Sequence, residues 1–373
     1  MGLKTSRELT DETVKTIHKF QTGELKPIST GIQHLDDALL GGLLPSSIVG
    51  IIGRTLNGKS YDMERIQRHI LENEPDVIYM NANWELTHFK ILTRDISFRS
   101  GKNIGEVLFT PPTDETNKKL KEICDTHRRD NVFYQNEPVS ATVFEEDVDG
   151  LISKYPNNKI VIAIDNLENL LVEKGGQREA MDDLLKKINK LKNKHFFISF
   201  IVLNQMNDNY LMRMDNPKNH RPLDSDIFST GQLIKLCDVL YVKMIPWRLG
   251  IRDKFMMFGK DMYPWLEDFK IYPNEKTASL DPFGTVYYFY LKQRAVADEK
   301  NIKDIFAERM FTRAETNLPI DEKENISIPI PSFNNTSTAI PIFEKPLPEV
   351  AFKDVSSVFD KPKVVDNEED SPF

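Results

Sequence analysis

The sequence predicts an α/β fold in which a mainly parallel central sheet is flanked by helices. Three observations carry that expectation. Segments of strand and helix character alternate through most of the chain. Most of the strand segments are continuous apolar runs, the pattern of strands covered on both faces. A glycine loop also stands between one such run and a helical segment, the usual joint of an α/β unit. The 373 residues, 40% of them hydrophobic, can bury a large core.

Taken in order, the first 20 or so residues read as a short amphipathic helix, with Val14, Ile17, His18 and Phe20 near one side. The run SSIVGII (46–52) is short, apolar and β-branched, hence a buried strand. After the glycine loop, KSYDMERIQRHILEN (59–73) sets Met63, Ile66 and Ile70 at helical spacing. Further strands are expected at 76–82, 131–136, 159–165, 197–205, 237–245 and 285–294. Residues 246–284 make a long connection carrying Trp247, Met257, Trp265 and several phenylalanines, read as a packed insert because aromatic side chains mostly bury. Prolines recur every few residues in the last stretch, without any period, so it reads as disordered. The expected divisions are a leading helix at 1–21, one large domain at 22–313 with the insert at about 246–284, and an acidic, proline-rich tail at 314–373.

The net charge is −8. From Arg313 onward there are 6 Lys/Arg against 12 Asp/Glu, a net of −6, so the preceding 312 residues carry only −2. A general basic coat is excluded, while a local basic channel is not. Two cysteines, Cys124 and Cys237, are too few for a disulfide framework or a zinc site. The N-terminus lacks the apolar stretch of a secretory signal, and no run reaches the length of a membrane span. A cytoplasmic protein with no membrane partner is expected.

The sharpest motif is the loop of Gly53, Arg54, Thr55, Leu56, Asn57, Gly58, Lys59 and Ser60, which fits G-x-x-x-x-G-K-[ST] with a strand before and a helix after it. Glycines let successive backbone N–H groups turn inward as a nest for phosphate oxygens, and the helix N-terminus adds its dipole. Lys59 would reach the β- and γ-phosphates of ATP, and the Ser60 hydroxyl would ligate Mg²⁺. Ligands of such sheets bind at the carboxyl ends of the strands, so the polar residues there come next. Asp165 ends an apolar run and can hold the Mg²⁺ through water opposite Ser60. Glu85, just past the second strand, can orient and deprotonate the attacking water. Gln205 ends another strand, where its amide can sense the γ-phosphate.

The order of these segments resembles the RecA-like motor domain of DnaB-type replicative helicases, from about Ile28 to Ala295. ISTGIQHLDDALLGGLLPSSIVGIIG resembles that family's lead-in to the P-loop, NWELT its glutamate segment, and VLNQMN its glutamine motif. The most specific match is RPLDSDIFSTGQLIKLCDVLYV (221–242), in which Arg221, Pro222, Ser225, Asp226, Ser229, Gly231 and Asp238 all fit. YLKQRA resembles the family's K-x-R finger, giving Lys292 and Arg294.

The resemblance implies a RecA-like P-loop ATPase core and an ATP-dependent helicase that assembles as a ring, a hexamer by expectation. It would move along single-stranded DNA and unwind duplex. Lys292 and Arg294 would act in trans, on the γ-phosphate held by the neighbouring subunit. DNA would be gripped by loops at 172–179 and 207–222, through Lys174, Arg178, Arg213 and Lys218. The leading helix resembles the linker that packs on an adjacent subunit, and the chain resembles a phage-like form without the family's N-terminal helical domain. Primase, a helicase loader or other replisome proteins are the implied partners. The acidic tip ending in Phe373 resembles the docking tip of bacterial single-stranded-DNA-binding proteins. The alternative is a RecA-like ATPase that does not unwind, either recombinase-like or a helicase-loading partner.

Overall fold

Ile48, Val49, Ile51 and Ile52 form β1 (Ile48–Ile52), buried on both faces in a computed structural model that describes residues 4–111, 113–228, 231–294 and 303–310. The expected tail at 314–373 and Ser229 lie outside the described residues. The side chains of β1 alternate as the pleat requires. Ile48 and Ile52 enter one apolar core, and Val49 and Ile51 enter the other. β1 is followed by β2 (Ile78–Asn83), β3 (Val132–Gln135), β4 (Ile160–Asp165), β5 (Ile198–Asn204) and β6 (Val239–Met244). These six strands are parallel in the spatial order β3-β2-β4-β5-β1-β6.

Residues 246–284 form a packed appendage. Its three short strands, β7 (Phe255–Gly259), β8 (Lys270–Ile271) and β9 (Thr277–Leu280), make a separate antiparallel sheet in the order β7-β9-β8. Phe255, Phe258, Tyr263 and Leu266 bury into the main core. The chain then returns as β10 (Thr285–Gln293), antiparallel to β6, and as β11 (Ile305–Arg309), antiparallel to β10. Two antiparallel strands thus close one edge of an otherwise parallel eight-stranded sheet.

Helices cover both faces. α1 (Ser6–Gln21) starts in a capping box between Thr5 and Glu8, and none of its residues is buried. Its Leu9, Val14 and Ile17 face solvent. α2 (Gln33–Ala38) is fixed by Asp36, which accepts from the Ser29 hydroxyl at 2.7 Å and from the Thr30 N–H at 2.8 Å. α3 (Lys59–Asn73) buries Met63, Ile66 and Ile70 on the same side of the sheet as α2. The connection from β2 to β3 carries α4 (His88–Ser100), α5 (Ile104–Phe109) and α6 (Asp114–His127). α7 (Ala141–Lys154), α8 (Gln177–Lys194) and α9 (Gly231–Leu236) cover the opposite face with Phe144, Val148, Met181, Leu184, Leu185 and Leu233.

Candidate nucleotide-binding site

The carboxyl ends of β1, β2, β4, β5 and β6 gather the polar residues around one cleft of about 430 Å³. Its floor is the loop at 53–60. Gly53 permits the close approach of β6, because a Cβ there would fall 2.8 Å from the Lys243 carbonyl oxygen. Gly58 caps α3 at a φ of +78°, the left-handed region where glycine is favoured. Three contacts from the end of β6 hold the loop. The Ile245 N–H donates to Asn57 Oδ1 at 2.8 Å, Arg248 donates to the Leu56 carbonyl, and Lys243 Nζ donates to the Gly58 carbonyl at 3.1 Å. Lys243 also forms a wholly buried ion pair with Asp62, which accepts from the Tyr241 hydroxyl at 3.0 Å.

Lys59 lies in the cleft with its ammonium 2.7 Å from the Gly53 carbonyl oxygen. Burial holds it below its usual range, against the pull of Asp165, Glu85 and Glu168. Burial pushes Asp165 up to about 6, while the Ser60 hydroxyl and Lys59 draw it back. Its Oδ1 is buried with no hydrogen-bond partner. Three residues on, Glu168 is raised by the same burial, with Lys59 opposing. An orphaned carboxylate oxygen, a serine hydroxyl beside it and a buried lysine at a helix N-terminus are the donor set of a Mg²⁺–triphosphate site, and the residues present fit that group.

The other expected residues divide between the two ends of the sheet. Glu85 is exposed on the cleft wall, where its Oε2 accepts from Asn166 Nδ2 at 3.3 Å. Gln205 lines the same cleft, 3.5 Å from the Thr55 hydroxyl. Arg54 reaches out to Asp208 at 2.9 Å, linking the loop to the segment after β5, and Leu56 is exposed. Lys174 is exposed in the connection from β4 to α8, Arg178 sits in the first turn of α8, and Lys218 lies after β5. Arg213 commits its guanidinium to Asp226 and to the Asn219 carbonyl.

Lys292 and Arg294 are not in the cleft. β10 runs against β6, so they sit beside Leu240 and Asp238 at the amino ends of β6 and β1. Arg294 bonds Asp238 Oδ1 at 3.0 Å and the Lys235 carbonyl at 2.8 Å, and Lys292 bonds the Ile234 and Lys235 carbonyls at the end of α9. The other oxygen of Asp238 accepts from the Ile48 N–H at 2.9 Å.

Tyr61, Glu64, Arg68, Arg94, Phe98 and Arg248 also line the cleft, without having been singled out in the sequence. Tyr61, Glu64 and Arg68 sit on α3 on the side away from its apolar stripe, where periodicity reads only solvent. Arg94 sits one turn before Phe98 on α4, and Phe98 shares a helical face with the buried Ile91 and Asp95, where it reads as an ordinary core ring.

A strand–loop–helix phosphate cradle facing an acidic strand end, on a sheet of this strand order, defines a P-loop nucleoside triphosphatase core of RecA-like architecture. Residues 27–246 match the family model described as the DnaB-like helicase C terminal domain, and the chain belongs to that family. Among curated proteins none matches. Two solved structures share the fold. One, the structure of an ATPase domain, is 17% identical with a TM-score of 0.57, over 76% of this chain and 91% of that one. The other, "The Structure Of A DnaB-Like Replicative Helicase And Its Interactions With Primase", is 16% identical with a TM-score of 0.55. The match covers 79% of this chain, which spans 63% of that one. Among the described residues, no helix is long and apolar enough to cross a membrane.

Proposed function

We propose that the chain is the motor of an ATP-dependent DNA helicase that assembles as a ring, with ATP held between subunits. One observation carries this reading. The cleft and the Lys292–Arg294 pair lie at opposite ends of the strands, so the pair can serve only the cleft of another subunit. A closed ring brings each finger to a neighbour's cleft at every interface. In such a ring α1 (within 1–21) has a use, since its Leu9, Val14 and Ile17 are exposed and are suited to pack on the adjacent subunit. The motor would then comprise 22–313, with 246–284 as its appendage and 314–373 as its tail.

In this mechanism the loop at 53–60 binds the phosphates, and Lys59 leaves the Gly53 carbonyl to neutralise them. Ser60 and Asp165 would hold the Mg²⁺. When bound, the metal–nucleotide supplies the phosphoanhydride whose hydrolysis drives movement. Glu85 orients the attacking water and accepts its proton at its carboxylate, and Gln205 senses the γ-phosphate by hydrogen bonding. The Arg54–Asp208 pair and the Thr55–Gln205 contact couple the cradle to the segment at 207–222. There Lys218 would meet DNA phosphates, as would Arg213 once released from Asp226. Lys174 and Arg178 would do so from the stretch after β4. Partners follow from the role: single-stranded DNA, further copies of the chain, and a primase such as the one named with the second solved structure. A loader and other replisome proteins complete the set, in the cytoplasm, with the acidic tip at Phe373 as one point of docking.

The test is a mass measurement with and without ATP beside an unwinding assay. A closed oligomer that separates duplex only with hydrolysable ATP is expected. ATP-dependent filaments without strand separation would favour the recombinase-like or loading role instead.

A further inference from the structure

Behind the cradle a full ion pair is buried where packing does not require one. Lys243 on β6 is 3% exposed, and its partner Asp62 on α3 is wholly buried. Such a pair gives up the hydration of both charges, and apolar side chains of similar size often leave a protein as stable or more so. This pair is nevertheless well bonded. Asp62 Oδ1 accepts from Lys243, and Oδ2 accepts from the Tyr241 hydroxyl at 3.0 Å. The ammonium also donates to the Gly58 carbonyl at 3.1 Å, and the rings of Tyr61 and Tyr288 lie 5.3 and 5.4 Å from it. The same carbonyl accepts the Asp62 N–H at 3.3 Å, a long bond for the start of a helix. Lys243 therefore supplies the shorter of the two bonds at Gly58.

Gly58 stands at a φ of +78° with no Cβ to restrain it, so its peptide needs fixing from outside. Its carbonyl and the Lys59 N–H belong to one trans peptide and point in opposite directions. With the carbonyl drawn toward Lys243 and the body of α3, the Lys59 N–H is turned out of the helix start, toward the space that phosphates would fill. We infer that Lys243 is a positioning residue of the cradle. It sets the Gly58–Lys59 peptide before a triphosphate arrives, and Asp62 is the counter-charge that lets its ammonium be buried there. The inference rests on the nucleotide reading above and adds to it a residue that stands behind the loop rather than on the cleft wall. The pair contributes direction where two apolar side chains would contribute stability.

Two variants of the full chain separate direction from stability. Lys243→Met combined with Asp62→Asn removes both charges, and the new amide oxygen can still accept from the Tyr241 hydroxyl. This double variant is expected to unfold in urea at or above the wild-type midpoint. In titration calorimetry it is expected to bind a non-hydrolysable Mg²⁺–ATP analogue and Mg²⁺–tripolyphosphate about tenfold more weakly, the scale of one hydrogen bond to a charged group. Asp62→Asn alone keeps the donor at Gly58 but strips it of its counter-charge. It is expected to unfold at lower urea than the double variant and yet to bind both ligands more tightly than the double variant does. A purely structural role gives the reverse, with affinity following stability across the three proteins. That ordering, a double variant that does not fold, or one that binds as the wild type does, overturns the positioning role. A loss confined to the ATP analogue overturns it too, because the Gly58–Lys59 peptide serves phosphates alone. In each of these cases a wild-type chain that binds both ligands leaves the nucleotide reading standing. A wild-type chain that binds neither overturns the nucleotide reading and the positioning role together.

Discussion

The two ends of the central sheet follow opposite electrostatic plans. At the carboxyl ends of the strands, charge is buried without full compensation. Burial pushes Asp165 up to about 6 and Glu64 up to about 7, raises Glu168 and depresses Lys59, and one oxygen of Asp165 has no partner. At the amino ends of β1 and β6, the cations of Lys292 and Arg294 are answered. Arg294 has the Asp238 carboxylate, and both finger residues hold the last carbonyls of α9, where a helix favours positive charge. The first region is arranged to receive a charged ligand, and the second is at rest within its own chain. In the proposed ring, acting on a neighbour would therefore require Lys292 and Arg294 to exchange partners. The Arg294 side chain is 50% exposed, and an ion pair with that much solvent contributes on the order of 0–1 kcal/mol. A triphosphate presented by an adjoining subunit can outcompete so weak a partner.

The largest effect should come from emptying the cleft of its lysine. Lys59→Ala removes the buried cation that faces the phosphates and is expected to abolish measurable ATP turnover. Normal turnover in a steady-state phosphate-release assay would show that the cleft is not the catalytic end. Arg294→Ala should come next, with hydrolysis reduced by about 10³–10⁵, the scale of a transition-state arginine, at near-normal ATP affinity. Mixed with the Lys59→Ala protein under conditions where subunits exchange, it should regain part of the activity, because some interfaces then pair an intact cleft with an intact finger. If every mixture of exchanging proteins stays inactive, the contrast between a receiving end and a donating end loses its meaning.

Glu85→Gln should slow hydrolysis by about two decades while leaving ATP affinity in place, measured by single-turnover kinetics beside equilibrium binding. Glu85 is exposed on the cleft wall, which suits a base that must meet water. Glu168 and Asn83 lie close by: burial raises the carboxyl of Glu168, and Asn83 sits 3.5 Å from Asp165. Full activity in Glu85→Gln would move the base to one of them.

The residues that sequence reasoning reached are those whose role is written in local order. The cradle is an eight-residue pattern, and Asp165 and Gln205 each end an apolar run. Strands β1 to β6 and β10 fall within or beside the expected segments because a buried strand needs an unbroken apolar run. Contacts between distant residues were not legible. Lys243 interrupts the run CDVLYVKMI and reads as a strand end. In the structure it is buried against Asp62, 181 residues earlier in the chain, which reads as an ordinary first-turn acid of α3. The two-residue strand β8 has no period to detect, and β11 is an edge strand that is only partly buried. Tyr61 was missed because it lies off the apolar stripe of α3 and reads as solvent-facing, and Phe98 because nothing local distinguishes a ring on a cleft wall from one in a core.

The smallest expected effect tests whether the cleft end carries an electrostatic cost at all. Glu64 sits on α3, 10% exposed, with Arg94 at 3.4 Å. Desolvation raises its carboxyl to about 7 in the folded chain, from an ordinary value of 4.5, with Arg94 pulling the other way. Below pH 4.5 the group is protonated in both states and contributes equally to each. Between 4.5 and 7 the unfolded chain releases the proton while the folded chain retains it, so stability falls as pH rises through that window. Above 7 the loss is complete. Glu64→Gln, neutral at every pH, should therefore match the wild type near pH 4.5 and exceed it by about 1–3 kcal/mol near pH 8, a size bounded above by the shift at roughly 1.4 kcal/mol per unit. Urea unfolding of the nucleotide-free proteins at both pH values measures the gap. A gap that does not change with pH would mean that Arg94 compensates Glu64 fully, and the cleft end would then be as settled as the finger end.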